Sequence, residues 1–308
     1  MSVFLSLFVN LLPLYALIGL GYFAGRVLKV DRQSLGTLAI YIFMPIVVFG
    51  FVADLEFKLS YIVLPIILYV SRVIVSLLFL MIGKRVFGDT QANLMALCAA
   101  MGNTMYFGLP LVVLLFPHEL VPIYIFMALG GVVFEATVGY YIAARGNFDA
   151  RTALMKILYF PSLYAIILGL CVNFSQIELP DVFWVYWTHF KGAYIVIGMM
   201  IIGTALANIK HFVIGRRFLY LVFLGKFFIL PIIHFIFVLL DSLVLHWFDK
   251  EIYALLMIVS FVPPAANIAT LAAQLNLQPE KAATTILIGT IFALFYIPLM
   301  VWLFNLGI

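Results

Sequence analysis

The chain has 308 residues, of which 66 % are hydrophobic and only 10 % charged, with a formal net charge of +4. An ordinary globular domain carries about 25 % charged residues, so the composition excludes a water-soluble fold and makes lipid the solvent. The small basic excess is not a nucleic-acid signal either, because Lys and Arg gather at the ends of apolar runs and not along one face.

A helix that crosses a bilayer needs about 20 apolar residues, each rising about 1.5 Å. Cutting the apolar runs at their polar punctuation predicts an all-α polytopic membrane protein with ten transmembrane helices, at 4–26, 35–53, 61–82, 92–115, 121–143, 157–173, 183–207, 218–240, 252–275 and 282–304. The sixth and seventh are separated by Asn173 to Asp181. Met1-Ser2-Val3-Phe4 lacks the basic start of a signal peptide, so the first span is expected to be retained. No linker is long enough for a separate soluble domain. Trp184, Trp187, Trp247 and Trp302 fall near span ends and read as interface anchors. Cys98 and Cys171 fall in apolar runs and read as small core residues, with no metal-ligand spacing around them.

The loops alternate in charge. Arg26, Lys29 and Arg32 follow the first span, Lys84 and Arg85 the third, and Arg145, Arg151 and Lys156 the fifth. Lys210, Arg216 and Arg217 follow the seventh, and Lys281 the ninth. These twelve basic residues share one side, against Lys58, Lys191 and Lys250 on the other. Cytoplasmic loops carry the Lys/Arg excess, which predicts both termini outside the cytoplasm in a plasma (inner) membrane.

Five spans per half is an odd number, so a repeated half must be inverted relative to its twin. The expected halves are 1–143 and 157–308, joined by a cytoplasmic linker at 144–156. Pro13-Leu14-Tyr15-Ala16-Leu17-Ile18 in the first span has a counterpart in Pro161-Ser162-Leu163-Tyr164-Ala165-Ile166-Ile167 in the sixth. Gly50 follows Pro45 by five in the second span, and Gly203 follows Gly198 by five in the seventh.

Spans 4 and 9 hold corresponding faults: Met101-Gly102-Asn103-Thr104-Met105-Tyr106-Phe107-Gly108-Leu109-Pro110, and Val262-Pro263-Pro264-Ala265-Ala266-Asn267. Interrupted backbone survives at membrane depth only where it packs in protein or lines a cavity. Two such interruptions in matching places point to the binding site of a secondary transporter. If each span unwinds at Gly102–Asn103 and at Pro263–Pro264, the downstream halves begin near Thr104 and Ala265 with their first N–H groups unpaired. Two positive helix ends suit an anion such as a carboxylate. Asn103, Thr104 and Asn267 add side-chain donors, Gly102 and Gly108 permit close backbone approach, and Pro263, Pro264 and Pro110 support the breaks.

Three charged residues fall well inside spans: Arg72 in the third, Glu135 in the fifth and Lys226 in the eighth. Intramembrane charge is costly and by default functional. Glu135 is either a proton-coupling group or the partner of Arg72 or Lys226, and Lys226 alternatively snorkels toward Arg216 and Arg217. His234 reads as a hydrogen-bonded packing residue.

Asn103-Thr104…Gly108-Leu109-Pro110, Pro263-Pro264-Ala265…Ala272, Asn276…Pro279-Glu280, and Pro45 followed by Gly50…Asp54 together resemble the auxin efflux carrier family. That family includes the plant PIN-type auxin carriers and bacterial carriers of malate, malonate and similar acids. The resemblance implies two inverted five-helix repeats with helices 4 and 9 broken and crossing. It also implies an elevator-like movement of helices 3–5 and 8–10 against a scaffold of helices 1, 2, 6 and 7, often in a homodimer. Plant members carry a proline just before the asparagine that matches Asn103. Gly102 stands there in this chain, so the plant substrate is not carried over.

The expected function is therefore secondary active or potential-driven transport of small organic anions, with possible coupling to H⁺ or Na⁺ and no cofactor. The sodium-coupled bile-acid carriers share a similar plan and are the nearest rival. An intramembrane enzyme would need paired membrane Asp, a Ser with a His, or zinc ligands such as H-E-x-x-H; the chain has one carboxylate deep in a span and no H-E-x-x-H. His118-Glu119, beside Pro117 and Pro122, reads as an outer turn. A membrane sensor would be expected to carry a soluble output domain. There is no Gly-Lys phosphate loop to bind ATP.

Overall fold

The computed structural model describes residues 3–87, 89–144, 155, 158–159, 161–207, 213 and 215–306. Arg145, Arg151, Lys156 and Lys210, and nearly all of the expected linker, lie outside the described residues. All regular structure among the described residues is helical apart from one isolated antiparallel bridge, between Gly102 and Pro264.

Among the described residues, seven helices are long and apolar enough to cross a membrane. They are α1 (Val3–Arg26), α2 (Gln33–Ala53), α3 (Leu59–Val86), α6 (His118–Ala143), α8 (Asp181–Ala207), α9 (Arg216–Leu245) and α12 (Pro279–Leu303). The expected fourth span is two shorter helices, α4 (Asp89–Ala100) and α5 (Thr104–Leu115). The ninth is likewise α10 (Lys250–Phe261) and α11 (Asn267–Gln274). Between α6 and α8 lies α7 (Pro161–Phe174). The second downstream half thus starts at Asn267, two residues beyond the expected Ala265, because Pro264 and Ala265 are held in the bridge.

Proline shapes several of these helices without ending them. Wide turns with i→i+5 bonding occupy Ala39–Phe43, Thr104–Gly108 and Gly225–Ile229. Each is followed after one residue by a proline, namely Pro45, Pro110 and Pro231. A proline ring clashes with the carbonyl four residues back and cannot donate to it, and one extra residue in the turn moves that carbonyl aside. Two further wide turns, Glu135–Gly139 and Asp241–Leu245, begin at carboxylates.

Packing relies on glycine where backbones approach. α1 runs along α8, and α2 along α7. A Cβ on Gly203 would overlap the Ile18 carbonyl, and one on Gly21 would overlap the Met200 backbone. Such small-residue contacts are how helices associate where lipid is as apolar as leucine. α3 packs between α4 and α6, and α9 against α4 and α10.

Three side chains lie otherwise than their sequence positions predict. Trp187 is 3 % exposed and donates from Nε1 to the Val47 carbonyl at 3.2 Å, a contact that the absence of a Cβ on Gly50 makes possible. It is a packing residue and not an interface anchor, whereas Trp247 and Trp302 are about half exposed. Cys98 is buried but Cys171 is exposed, since it lies on the outer face of α7. Lys226 does not snorkel: it is fully buried and donates to the Ser260 carbonyl at 2.9 Å. His234 is a packing residue, with its two ring nitrogens 2.8 Å from Ser71 Oγ and 3.0 Å from the Leu256 carbonyl.

Candidate functional site

The two interruptions meet. The Asn103 N–H donates to the Pro263 carbonyl at 2.8 Å, and the Ala265 N–H donates to the Met101 carbonyl at 3.0 Å. Broken helices leave N–H and C=O groups that hydrocarbon cannot satisfy. Here each break supplies partners for the other. Gly102 fits because a Cβ there would stand 2.8 Å from Val262 Cγ2 and 3.2 Å from Lys226 Nζ. Pro264 sits in the bridge at a position where no N–H is required of it.

Two residues behind the crossing hold it. The Tyr124 hydroxyl of α6 donates to the Thr104 carbonyl at 2.9 Å, and a Cβ on Gly108 would overlap that hydroxyl. The close approach expected at Gly108 is therefore to a tyrosine of the same chain. Lys226 of α9 donates to Ser260 in the last turn of α10, where a cation also complements the negative end of the helix dipole.

In front of the crossing is a cavity of about 320 Å³. Its wall brings together Arg72, Gly102, Asn103, Thr104, Glu135 and Asn267 from the expected set, while Pro263, Pro264, Lys226, Gly108 and Pro110 are not among its lining residues. The two prolines and Lys226 shape the crossing from behind. The cavity also takes Tyr41, Met44, Tyr106 and Tyr140, which hydropathy patterns gave no reason to single out. Both downstream helices, α5 and α11, present their first residues to it.

Three polar atoms on these wall residues are buried without a partner among the described residues: Arg72 Nε, Asn103 Nδ2 and Asn267 Oδ1. Buried polar groups are nearly always hydrogen-bonded, so these three stand out as the unsatisfied polar atoms of the wall residues. Asn267 differs from its expected role as a donor, because its Nδ2 is already given to Glu135 Oε1. Arg72 lies within electrostatic reach of Glu135 and Tyr124, and its guanidinium passes over Gly131, where a Cβ would overlap it. Arg72 is 3 % exposed and Asn103 4 %. The wall therefore carries one cation, one carboxylate and two positive helix ends.

A family model described as membrane transport protein matches residues 6–151 and 149–301. A protein of Methanocaldococcus jannaschii, described as an uncharacterized transporter, is 25 % identical over 299 residues, which covers 93 % of this chain and 95 % of that relative.

Proposed function

Because the chain belongs to the membrane transport protein family, the auxin efflux carrier type, we propose that it is a secondary active or potential-driven carrier of small organic anions, with its site at the crossing of α4/α5 with α10/α11. The observation that carries this reading is the pair of buried donors, Arg72 Nε and Asn103 Nδ2, left unpartnered on a cavity wall that also holds two helix N-termini. A carboxylate accepts from such donors without bringing a compensating proton of its own. Each helix end adds about 0.3–1 kcal/mol for an anion, and the guanidinium contributes the fixed charge.

The proposed movement is elevator-type alternating access. Ten crossings would fall into two inverted halves, 1–143 and 157–308, with α1, α2, α7 and α8 as scaffold and the remaining helices carrying the cavity. The packing pattern supports this: exchanging the two halves turns the α1–α8 pair into the α7–α2 pair, and both are tight contacts through glycine, with Gly169 of α7 against Phe49 and Val52. The reading includes both termini outside the cytoplasm, a homodimer, and coupling to a proton or sodium gradient or to the membrane potential.

Uptake into proteoliposomes with a panel of mono- and dicarboxylates, under separate pH, sodium and voltage gradients, tests it. Saturable flux of at least one acid is expected, lost in Arg72→Gln. Folded protein with no saturable flux for any acid would overturn the proposal.

A further inference from the structure

We infer that Glu135 decides which polar atom of Asn267 is left for the guest, and that the site therefore selects organic anions carrying a hydrogen-bond donor beside the carboxylate. This rests on the carrier reading above and adds a specificity to it.

While Glu135 is ionised it is an acceptor only, so its bond to Asn267 uses the amide nitrogen. The amide is thereby fixed with Nδ2 toward Glu135 Oε1, and Oδ1 is buried with no partner. The two residues are 132 apart in the chain. Glu135 opens the wide turn of α6, and Asn267 is the first residue of α11 beyond the proline break. Neither segment alone would show the orientation.

The consequence is a wall of mixed polarity. Arg72 Nε and Asn103 Nδ2 seek acceptors, and Asn267 Oδ1 seeks a donor. A simple carboxylate satisfies the first two and leaves the third unpaired. An acid with a neighbouring hydroxyl or ammonium group satisfies all three. A cavity of about 320 Å³ accepts such acids readily. A site built to hydrogen-bond a substrate hydroxyl rejects the analogue that lacks it, because the buried partner stays unsatisfied. Glu135 is in this account a positioning residue, acting through Asn267.

The test uses the purified full chain in detergent at pH 7.5 in a choline buffer, with L-lactate and propionate as probes, which differ only by the hydroxyl. Titration calorimetry on the wild type is expected to show lactate bound about tenfold or more tighter than propionate. In Glu135→Gln the new amide can donate to Oδ1 and turn Nδ2 toward the guest, so the ratio should fall close to one. Asn267→Ala should lose the preference as well, with size-exclusion profiles confirming that both variants are folded.

Equal binding of the two acids by wild type overturns the inference and leaves the carrier reading standing, as does an undiminished ratio in folded Glu135→Gln. A preference present only when sodium replaces choline also overturns it, because Oδ1 would then be serving a cation. Binding of neither probe by a chain that takes up other acids overturns the inference alone, and binding of neither together with no uptake across the acid panel overturns both readings. The wild-type ratio decides the matter even if a variant fails to fold.

Discussion

The Asn103 amide and the Pro263 carbonyl, 2.8 Å apart, tie the break in one half of the chain to the break in the other. With the reciprocal bond from Ala265 to Met101, they form a two-bond bridge among groups that have no other acceptor or donor in their own helices. Each buried backbone group left without a partner costs about 1–3 kcal/mol. Neither interruption is then tolerable alone, and a substitution that straightens one helix strands the polar groups of the other.

Gly108→Ala should disrupt this arrangement through Tyr124. The added methyl would overlap the tyrosine hydroxyl and push it from the Thr104 carbonyl. We expect a loss of about 1–3 kcal/mol, from overpacking and a broken buried hydrogen bond, measured by thermal denaturation in detergent. Tyr124→Phe removes the clashing atom, so the double variant should be more stable than the sum of the single losses requires. Strict additivity would show that the two residues do not act on each other.

The seven long apolar helices and the two breaks were legible in the sequence for separate reasons. Membrane crossing depends on apolar length, which composition records directly, and the breaks depend on Gly102, Pro263 and Pro264, whose backbone limits are intrinsic. Which face a side chain presents is not intrinsic. Trp187 has the sequence position of an interface anchor, but the missing Cβ at Gly50 gives its indole room inside the bundle. Asn267 has the local sequence of a donor free for a guest, but its amide nitrogen is taken by a partner 132 residues away. Nothing in the local sequence marks Asp241. It is fully buried near the end of α9 and satisfied by the amides of Trp247 and Phe248 and by the Tyr253 hydroxyl.

Two glycines in the same pair of helices should respond in opposite directions. Gly203→Ala drives a methyl into the Ile18 carbonyl, which is backbone and cannot turn away. A loss of more than about 2 kcal/mol is expected, or failure to purify as a monodisperse protein. Gly19→Ala in α1 meets nothing within 4 Å. It should be neutral or up to about 1 kcal/mol stabilising, through helix propensity alone. Equal effects at the two positions would contradict the close α1–α8 contact.

Lys226→Met keeps most of the side-chain volume and removes the bond to Ser260. Since Lys226 Nζ also sits 3.2 Å from where a Gly102 Cβ would be, it backs both broken helices at once. Hydrogen exchange should rise in peptides covering 101–104 and 260–266 while the α1 and α8 peptides stay unchanged. A uniform rise across the protein would mean that the lysine supports global stability and not the crossing in particular.

Arg72→Gln isolates the contribution of the fixed charge to the site. The guanidinium lies over Gly131 with Nε unpartnered on the cavity wall, and glutamine reaches less far and carries no charge. A ligand that binds only the folded protein raises stability by RT ln(1 + [L]/Kd), about 2.7 kcal/mol at a hundredfold excess over Kd. A bound carboxylate should therefore raise the melting temperature of wild type in a concentration-dependent way. In Arg72→Gln the same acid should need at least about tenfold more ligand for the same shift, as expected for loss of a charge-assisted hydrogen bond. Arg72→Lys keeps the charge without the fork, so an intermediate requirement would assign part of the effect to charge and part to geometry. An undiminished shift in Arg72→Gln would place the anion elsewhere and leave the unpartnered Nε to ordered water.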